Sequence, residues 1–355
     1  MSFLLAFLGF ATLIILHELG HFTAAKAVGM RVERFSLFFP PLAFRKKWGE
    51  TEYAIGLVPL GGYVKISGQN PHEELPPEIE HRGYFRQPVW KRVVVIAAGP
   101  AVNIVLAFLI LMALIWHAGI SEPTTQIEQV TAAPARGVLA PGDKLVEVDG
   151  VRGDFETLKK QIASHKCREQ QDGCQAETPA VITVSLHGVE RTVKLRPVYN
   201  AGQDDMLVGF RIATTTHGIG PVTAARESVS EMWFFTTKTV DTIANIFNAQ
   251  DRKQISGVVG SYEATRQTIE ISIERAIYLL GVISLSLGVI NLFPFLPLDG
   301  GHIFWALAEK VRGRAIPFSV MERAGFVGFV LVITLFMIGF TNDVGRLTGE
   351  GFGVR

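Results

Sequence analysis

Charge is scarce in this chain. Of 355 residues only 19% are charged, and 34 Lys and Arg against 33 Asp and Glu leave a formal net charge of +1. A near-neutral chain offers no bulk electrostatic attraction to a nucleic-acid backbone, so that class of partner is set aside. Cysteine is scarcer still, with Cys167 and Cys174 the only two. Two thiolates do not complete a tetrahedral metal site. Basic residues are missing ahead of the first apolar run, so no cleavable signal peptide is expected there.

What is abundant is apolar surface. Hydrophobic residues make up 48% of the chain and its mean hydropathy is +0.28. That is too apolar for an ordinary soluble protein and too polar for membrane helices alone. A polytopic α-helical membrane protein carrying a soluble module accounts for both. Four stretches approach the roughly 20 apolar residues that a bilayer crossing needs: about 3–27, 92–117, 275–297 and 323–341. The first and third are interrupted by polar residues or proline, which lipid tolerates only where a helix faces protein or a watery cavity. Cations crowd the connector from Arg31 to Arg92, and Lys310, Arg312, Arg314 and Arg323 fill the one between the last two spans. By the positive-inside rule both connectors are cytoplasmic, which places the segment of about 118–270 outside a cell inner (plasma) membrane that the chain crosses several times.

The connector at 30–91 is no ordinary loop. Residues 35–39 and 53–58 read as short strands, punctuated by Pro40-Pro41, Trp48-Gly49 and Gly61-Gly62. They form either membrane-associated β-hairpins dipping into the interface or a small cytoplasmic sheet. Residues 70–82, rich in Pro and Glu, are expected to be mobile. Outside, 124–200 alternates strand and turn patterns around an amphipathic helix at 155–162. The run at 133–150 resembles PDZ domains of bacterial envelope proteases, which take peptides by strand addition. The alternative is a structural β-domain that binds nothing. Both cysteines fall in this segment, separated by six residues that include the turn-forming Asp172-Gly173. A disulfide is expected in an oxidising compartment, with two free thiols as the alternative. Residues 201–273 read as a linker with amphipathic helices, and 304–355 as a connector, the fourth span and a tail.

The chemistry begins at His17-Glu18-Leu19-Gly20-His21, in the second half of the first apolar run. On a helix, positions i and i+4 project from one face, so His17 and His21 can approach one metal ion. Glu18, one step round the helix, suits a general base acting on water. Polar residues inside a membrane helix are expensive and tend to be functional. A catalytic zinc normally takes three protein ligands, and this motif supplies two. Asp299, in Leu298-Asp299-Gly300-Gly301-His302, lies at the cytoplasmic end of the third apolar stretch and so at matching depth. Pro294 and Pro297 break the helix there. Asp299 is the favoured third ligand and His302 its rival.

These motifs together resemble the site-2 protease family of intramembrane zinc metalloproteases. The likeness rests on HELGH, on Asn291-x-x-Pro294-x-x-x-Leu298-Asp299-Gly300, on Gly99-Pro100-Ala101-Val102-Asn103, and on the preceding 85–92. It is closest to bacterial regulators of intramembrane proteolysis with PDZ modules, though the insert here has room for only one. The resemblance implies Zn2+ held by His17, His21 and Asp299, Glu18 as base, and Asn291 and Asn103 near the substrate backbone. For the two asparagines a structural interhelical hydrogen bond is the alternative. It implies cleavage of single-span membrane proteins, such as trimmed anti-sigma factors or remnant signal peptides. A non-catalytic membrane adaptor binding segments through its PDZ-like domain is the competing reading, although intact Glu18 speaks against it. A zinc transporter would need ligands at several depths, and the chain shows one cluster.

Overall fold

The computed structural model describes residues 1–70, 72–169, 171–201, 205–245, 248, 252 and 255–349. Parts of the expected 201–273 linker and the end of the tail thus lie outside the described residues. The chain divides into two compact units, one formed by Met1–Trp116 with Gly220–Arg355 and the other by His117–Ile219.

The first unit holds, among the described residues, four helices long and apolar enough to cross a membrane: α1 (Ser2–Ala27), α3 (Val89–Ala118), α7 (Ile273–Asn291) and α9 (Phe318–Thr348). Their outer faces carry exposed large apolar residues, such as Phe3 and Leu8 on α1 and Phe326 and Val327 on α9. A helix that is apolar all round belongs in lipid. Two of the bounds differ from the expected stretches. The third helix stops at Asn291 instead of running to 297, because Pro294 and Pro297 cannot continue it. The chain then crosses 292–298 without regular structure and starts a fresh helix, α8 (Asp299–Arg312). The fourth helix extends well beyond 323–341 at both ends.

Between α1 and α3, β1 (Val32–Trp48) and β2 (Thr51–Ile66) are far longer than the two short strands expected. Both double back. Arg34 to Leu37 are flanked on one side by Lys65 to Gly62 and on the other by Glu52 to Ile55, while Phe44 to Trp48 pair with Ile55 to Thr51. Two strands therefore make four sheet rows, with the 42–48 row and the 62–66 row at the edges. The 70–82 stretch contains a short helix, α2 (Pro77–Glu80), and Glu73 accepts from the Gly68 N–H at 2.9 Å. A buried cluster of Ala25, Met30, Val32, Ile66, Tyr84, Val95 and Ile96 ties α1, the sheet and α3 together.

Helices α5 (Pro221–Ala244) and α6 (Val258–Ile271) precede the third span. Tyr278 Oη on α7 donates to Glu231 on α5 at 2.5 Å, and Tyr262 Oη on α6 donates to the Phe3 carbonyl at 3.0 Å. Asp343, fully buried in α9, accepts from the Gly257 and Gly260 N–H groups at 3.0 and 2.7 Å. It thereby satisfies orphan donors at the start of α6.

The second unit is a mixed α+β module. Its sheet runs β10 (Phe210–His217), β3 (Ile120–Val130), β4 (Lys144–Val148), β6 (Ala180–Leu186), β7 (Val189–Leu195), with β5 (Val151–Arg152) paired to β4. A separate ribbon joins β8 (Val198–Asn200) to β9 (Asp205–Leu207). The module therefore outruns the expected 124–200: β9 and β10 belong to it, not to a linker. The sequence placed them outside because Gly202, Gln203 and Asp204 interrupt the strand pattern. Helix α4 (Phe155–Ala163) is capped by Asp154, whose carboxylate accepts from the Thr157 N–H at 2.9 Å. Ile127, Leu145, Leu158 and Ile182 are almost wholly buried in one core. At about 1.5–3 kcal/mol for each such side chain, the module has a core of its own. Cys167 and Cys174 are joined in a disulfide with Cα atoms 6.2 Å apart.

Candidate metal centre

α1 is helical throughout the motif, so His17 and His21 do share a face, with ring centroids 4.9 Å apart. Both are buried. Their Nε2 atoms are 3.2 Å apart, and each lies 3.3 Å from Asp299 Oδ2. Asp299 reaches this point as the first residue of α8, and its neighbours explain how. A Cβ on Gly300 would lie 2.1 Å from the Leu292 carbonyl oxygen, and one on Gly301 would lie 2.4 Å from the Leu296 nitrogen. Only glycines let the chain fold this tightly onto the broken segment. That segment in turn rests on α9, where a Cβ on Gly328 would collide with the Leu296 carbonyl.

The opposite wall is α3. His21 Nδ1 lies 2.9 Å from the Val95 carbonyl oxygen. A carbonyl can only accept, so Nδ1 carries the proton and Nε2 of the neutral ring presents a lone pair. α3 approaches closely because of Gly99, where a Cβ would sit 2.3 Å from His21 Nε2, and Gly20, where one would sit 2.6 Å from the Ala98 carbonyl. Glu18 lies against the hairpin: a Cβ on Gly62 would be 2.8 Å from its Cγ and 2.9 Å from the Ser36 carbonyl. The edge row of the sheet therefore passes beside the candidate base.

Buried polar atoms brought this close need a shared partner, and a cation at their centre would supply one. Asp299 Oδ2 and His17 Nδ1 are buried without a hydrogen-bond partner. In a tetrahedral zinc site with bonds near 2.0–2.1 Å, ligand atoms are roughly 3.3–3.4 Å apart, close to the separations here. These residues fit a zinc ion. Among the described residues they form the one cluster of three or more His, Cys, Asp or Glu with metal-ligand spacing, and His302 is not in it.

The two asparagines stand differently. Asn103 on α3 is fully buried, and neither its Oδ1 nor its Nδ2 has a partner. It sits one turn beyond Gly99, and its backbone carbonyl accepts from Ser284 Oγ at 3.0 Å. Asn291, the last residue of α7, donates instead to the Leu287 carbonyl of its own helix at 3.0 Å. One contact had no sequence signal: buried Arg92 on α3 meets Glu309 on α8 in two bonds of 2.7 and 3.0 Å. It fastens the helix that carries Asp299 to the helix that orients His21.

Membrane-crossing helices around a buried His, His, Asp cluster with an adjacent glutamate define a membrane metalloprotease. Residues 5–335 match peptidase family M50, and the chain belongs to that family, the site-2 proteases. A relative from Rhizobium meliloti is 28% identical over 368 residues, covering 95% of this chain and 94% of its own length. One from Campylobacter jejuni is 26% identical, covering 98% and 95% respectively. One from Nostoc sp. is 27% identical, covering 99% and 98%. All three carry the name "Putative zinc metalloprotease".

Proposed function

We propose that this protein is an intramembrane zinc endopeptidase of the inner membrane that cuts single-span membrane proteins in regulated intramembrane proteolysis. The observation that carries the reading is the convergence of His17 Nε2, His21 Nε2 and Asp299 Oδ2 between helices of membrane-crossing length.

His17, His21 and Asp299 would hold the ion. Zinc, when bound, polarises a carbonyl and makes water a better nucleophile near neutral pH. Glu18 takes the proton from the attacking water and hands it to the departing amine. The Val95 carbonyl keeps His21 in the tautomer that leaves Nε2 free. A substrate helix hides its amides in its own hydrogen bonds, so it must unwind before cleavage. The 62–66 row of the sheet, paired on one side only, offers backbone groups for the unwound strand beside Glu18. Asn103, with both amide atoms unpaired, is the better placed of the two asparagines to meet a substrate carbonyl.

The second unit is read as a single extracytoplasmic PDZ-like domain. β10 is an end strand of its sheet. A cavity of about 250 Å³ lined by Phe155, Ile162, Met206, Val208 and Phe210 lies between α4 and the stretch from β9 into β10, room for a side chain or two of a peptide. Anti-sigma-factor-like proteins and remnant signal peptides are proposed as the protein's substrates on the family resemblance alone.

The test is cleavage of a model single-span substrate by purified protein, with zinc content measured in parallel. Wild-type protein should cleave, and Glu18→Gln should bind zinc without cleaving. Zinc-loaded wild-type protein that binds such segments and never cuts them would favour the adaptor. Membranes from a Glu18→Gln strain should accumulate the natural substrates.

A further inference from the structure

We propose that the returning arm of the β1–β2 hairpin binds the headgroups of anionic phospholipids, with Arg45, Lys46 and Lys47 meeting the phosphates and Phe44 and Trp48 anchoring on either side. The proposal rests on the reading that α1 lies in a bilayer.

Depth along α1 can be followed through its contacts. Near the end of the helix, Lys26 Nζ donates to Glu50 at 2.6 Å, and Arg82 donates two bonds of 2.8 Å to the same carboxylate. Glu50 belongs to the β1–β2 turn, so the turn sits where α1 leaves the bilayer. Further along β1, the Phe35 ring is 5.3 Å from that of Phe22, and the Phe38 ring is 5.9 Å from that of Phe7. Phe22 and Phe7 are separated by roughly 22 Å of helix at 1.5 Å per residue. β1 therefore runs down the span from the cytoplasmic end, reverses at Pro40-Pro41, and returns to Trp48.

The side chains on the way back follow the layers of a membrane. Phe39 and Phe44 are exposed near the deep end, then come exposed Arg45, Lys46 and Lys47, then Trp48 at 79% exposure beside the turn. Apolar Phe44 lies deepest, and the three cations with Trp48 fall together near the turn, the level of the interface and the headgroups. Long basic side chains reach the headgroup layer from below it. Strand alternation sends Phe44, Lys46 and Trp48 to one face and Arg45 and Lys47 to the other. This row is an edge of the sheet, so lipid can be met on both faces.

Most of the connector's other cations are paired with a carboxylate, and Lys91 donates instead to the Val28 carbonyl. Lys26, Arg31, Arg34, Lys65, Arg82 and Arg86 each meet a carboxylate. Arg45, Lys46 and Lys47 meet none among the described residues, although they are consecutive and repel one another. Cations placed only to keep an edge strand from pairing would explain the lysines. They would not explain a nearly bare Trp48 and an exposed Phe44 in the same row.

The test uses full-length protein in vesicles, with Trp90, Trp116, Trp233 and Trp305 replaced by Phe so that Trp48 alone reports. Brominated phosphatidylglycerol and brominated phosphatidylcholine are compared as quenchers at equal mole fraction. The expected result is stronger quenching by the anionic lipid, with an apparent preference of tenfold or more, given roughly fivefold per cation. Arg45→Gln/Lys46→Gln/Lys47→Gln should bring the preference near one. The wild-type comparison stands alone if that variant does not fold. Equal quenching by both lipids overturns headgroup binding while leaving the hairpin in the bilayer. No quenching of Trp48 by either lipid overturns the proposal by placing the row outside lipid or against protein. A second protein keeping only Trp116 separates these failures from the underlying reading, because an unquenched Trp116 would show that the spans themselves are not in the bilayer.

Discussion

The two parts of the chain that bring side chains to the candidate metal centre do so in opposite ways. α1 supplies His17 and His21 from an unbroken helix, where ordinary i, i+4 geometry suffices. α7 ends at Asn291, and Asp299 arrives only after 292–298 and the start of α8. The first arrangement is local and robust. The second depends on Gly300, Gly301 and Gly328 being small, since each lies within clashing distance of the broken segment's backbone. An ion bound there would be held between a rigid arm and one whose position is set by packing.

The largest effect expected tests the rigid arm. Glu18→Gln should cost about 100- to 10,000-fold in cleavage rate, the usual range for a lost general base, with zinc content unchanged. Turnover at the wild-type rate would remove Glu18 from the chemistry. Next comes the packed arm. Asp299→Ala should weaken zinc binding by more than the roughly 10- to 100-fold typical of losing an outer partner, while His302→Ala should retain the metal. Metal analysis after dialysis decides between them, and the reverse pattern would exchange their roles.

A smaller effect contrasts the arms directly. Gly300→Ala should destabilise by about 1–3 kcal/mol and lower zinc affinity, because its Cβ would meet the Leu292 backbone. Gly9→Ala in α1 meets only the Leu280 side chain and gains helix propensity of about 1 kcal/mol, so it should be near neutral. Equal thermal shifts in detergent would erase the contrast. The smallest effect concerns acid. Glu50, which ties down the end of α1, is pulled from an ordinary value of 4.5 to about 2, first by its bonds to Arg82 and then by Lys26. A depressed carboxylate stabilises the fold above its unfolded value and loses that contribution as pH falls. Wild-type stability should therefore drop between about pH 4.5 and 2 more than that of Glu50→Gln, as read by thermal unfolding across that range.

The same contrast explains what the sequence disclosed. HELGH was legible because a helix converts spacing into geometry. Asp299 was legible because the prolines marked a break at the right depth, though the exact path through 292–298 was not. The hairpin was the largest surprise: Pro40-Pro41 and Gly61-Gly62 read as strand ends, but the strands continue past them and double back. Row pairing across such bends is a tertiary choice that two-residue periodicity does not encode. Arg92–Glu309 and the Asp343 cap were invisible for the same reason, since each joins residues distant in the chain. Asn291 had a motif but bonds to its own helix, a local alternative that amide side chains always have.

The bond that orients His21 ends on a main-chain oxygen, that of Val95. Main-chain atoms are not inherited residue by residue, so no codon change at 95 can delete this acceptor. Position 95 can therefore drift among apolar side chains of similar bulk without moving the imidazole. Four residues on, Gly99 has no such freedom, because any side chain would enter the imidazole's space. In a lineage of such proteins, variation should be permitted at 95 and stop at 99.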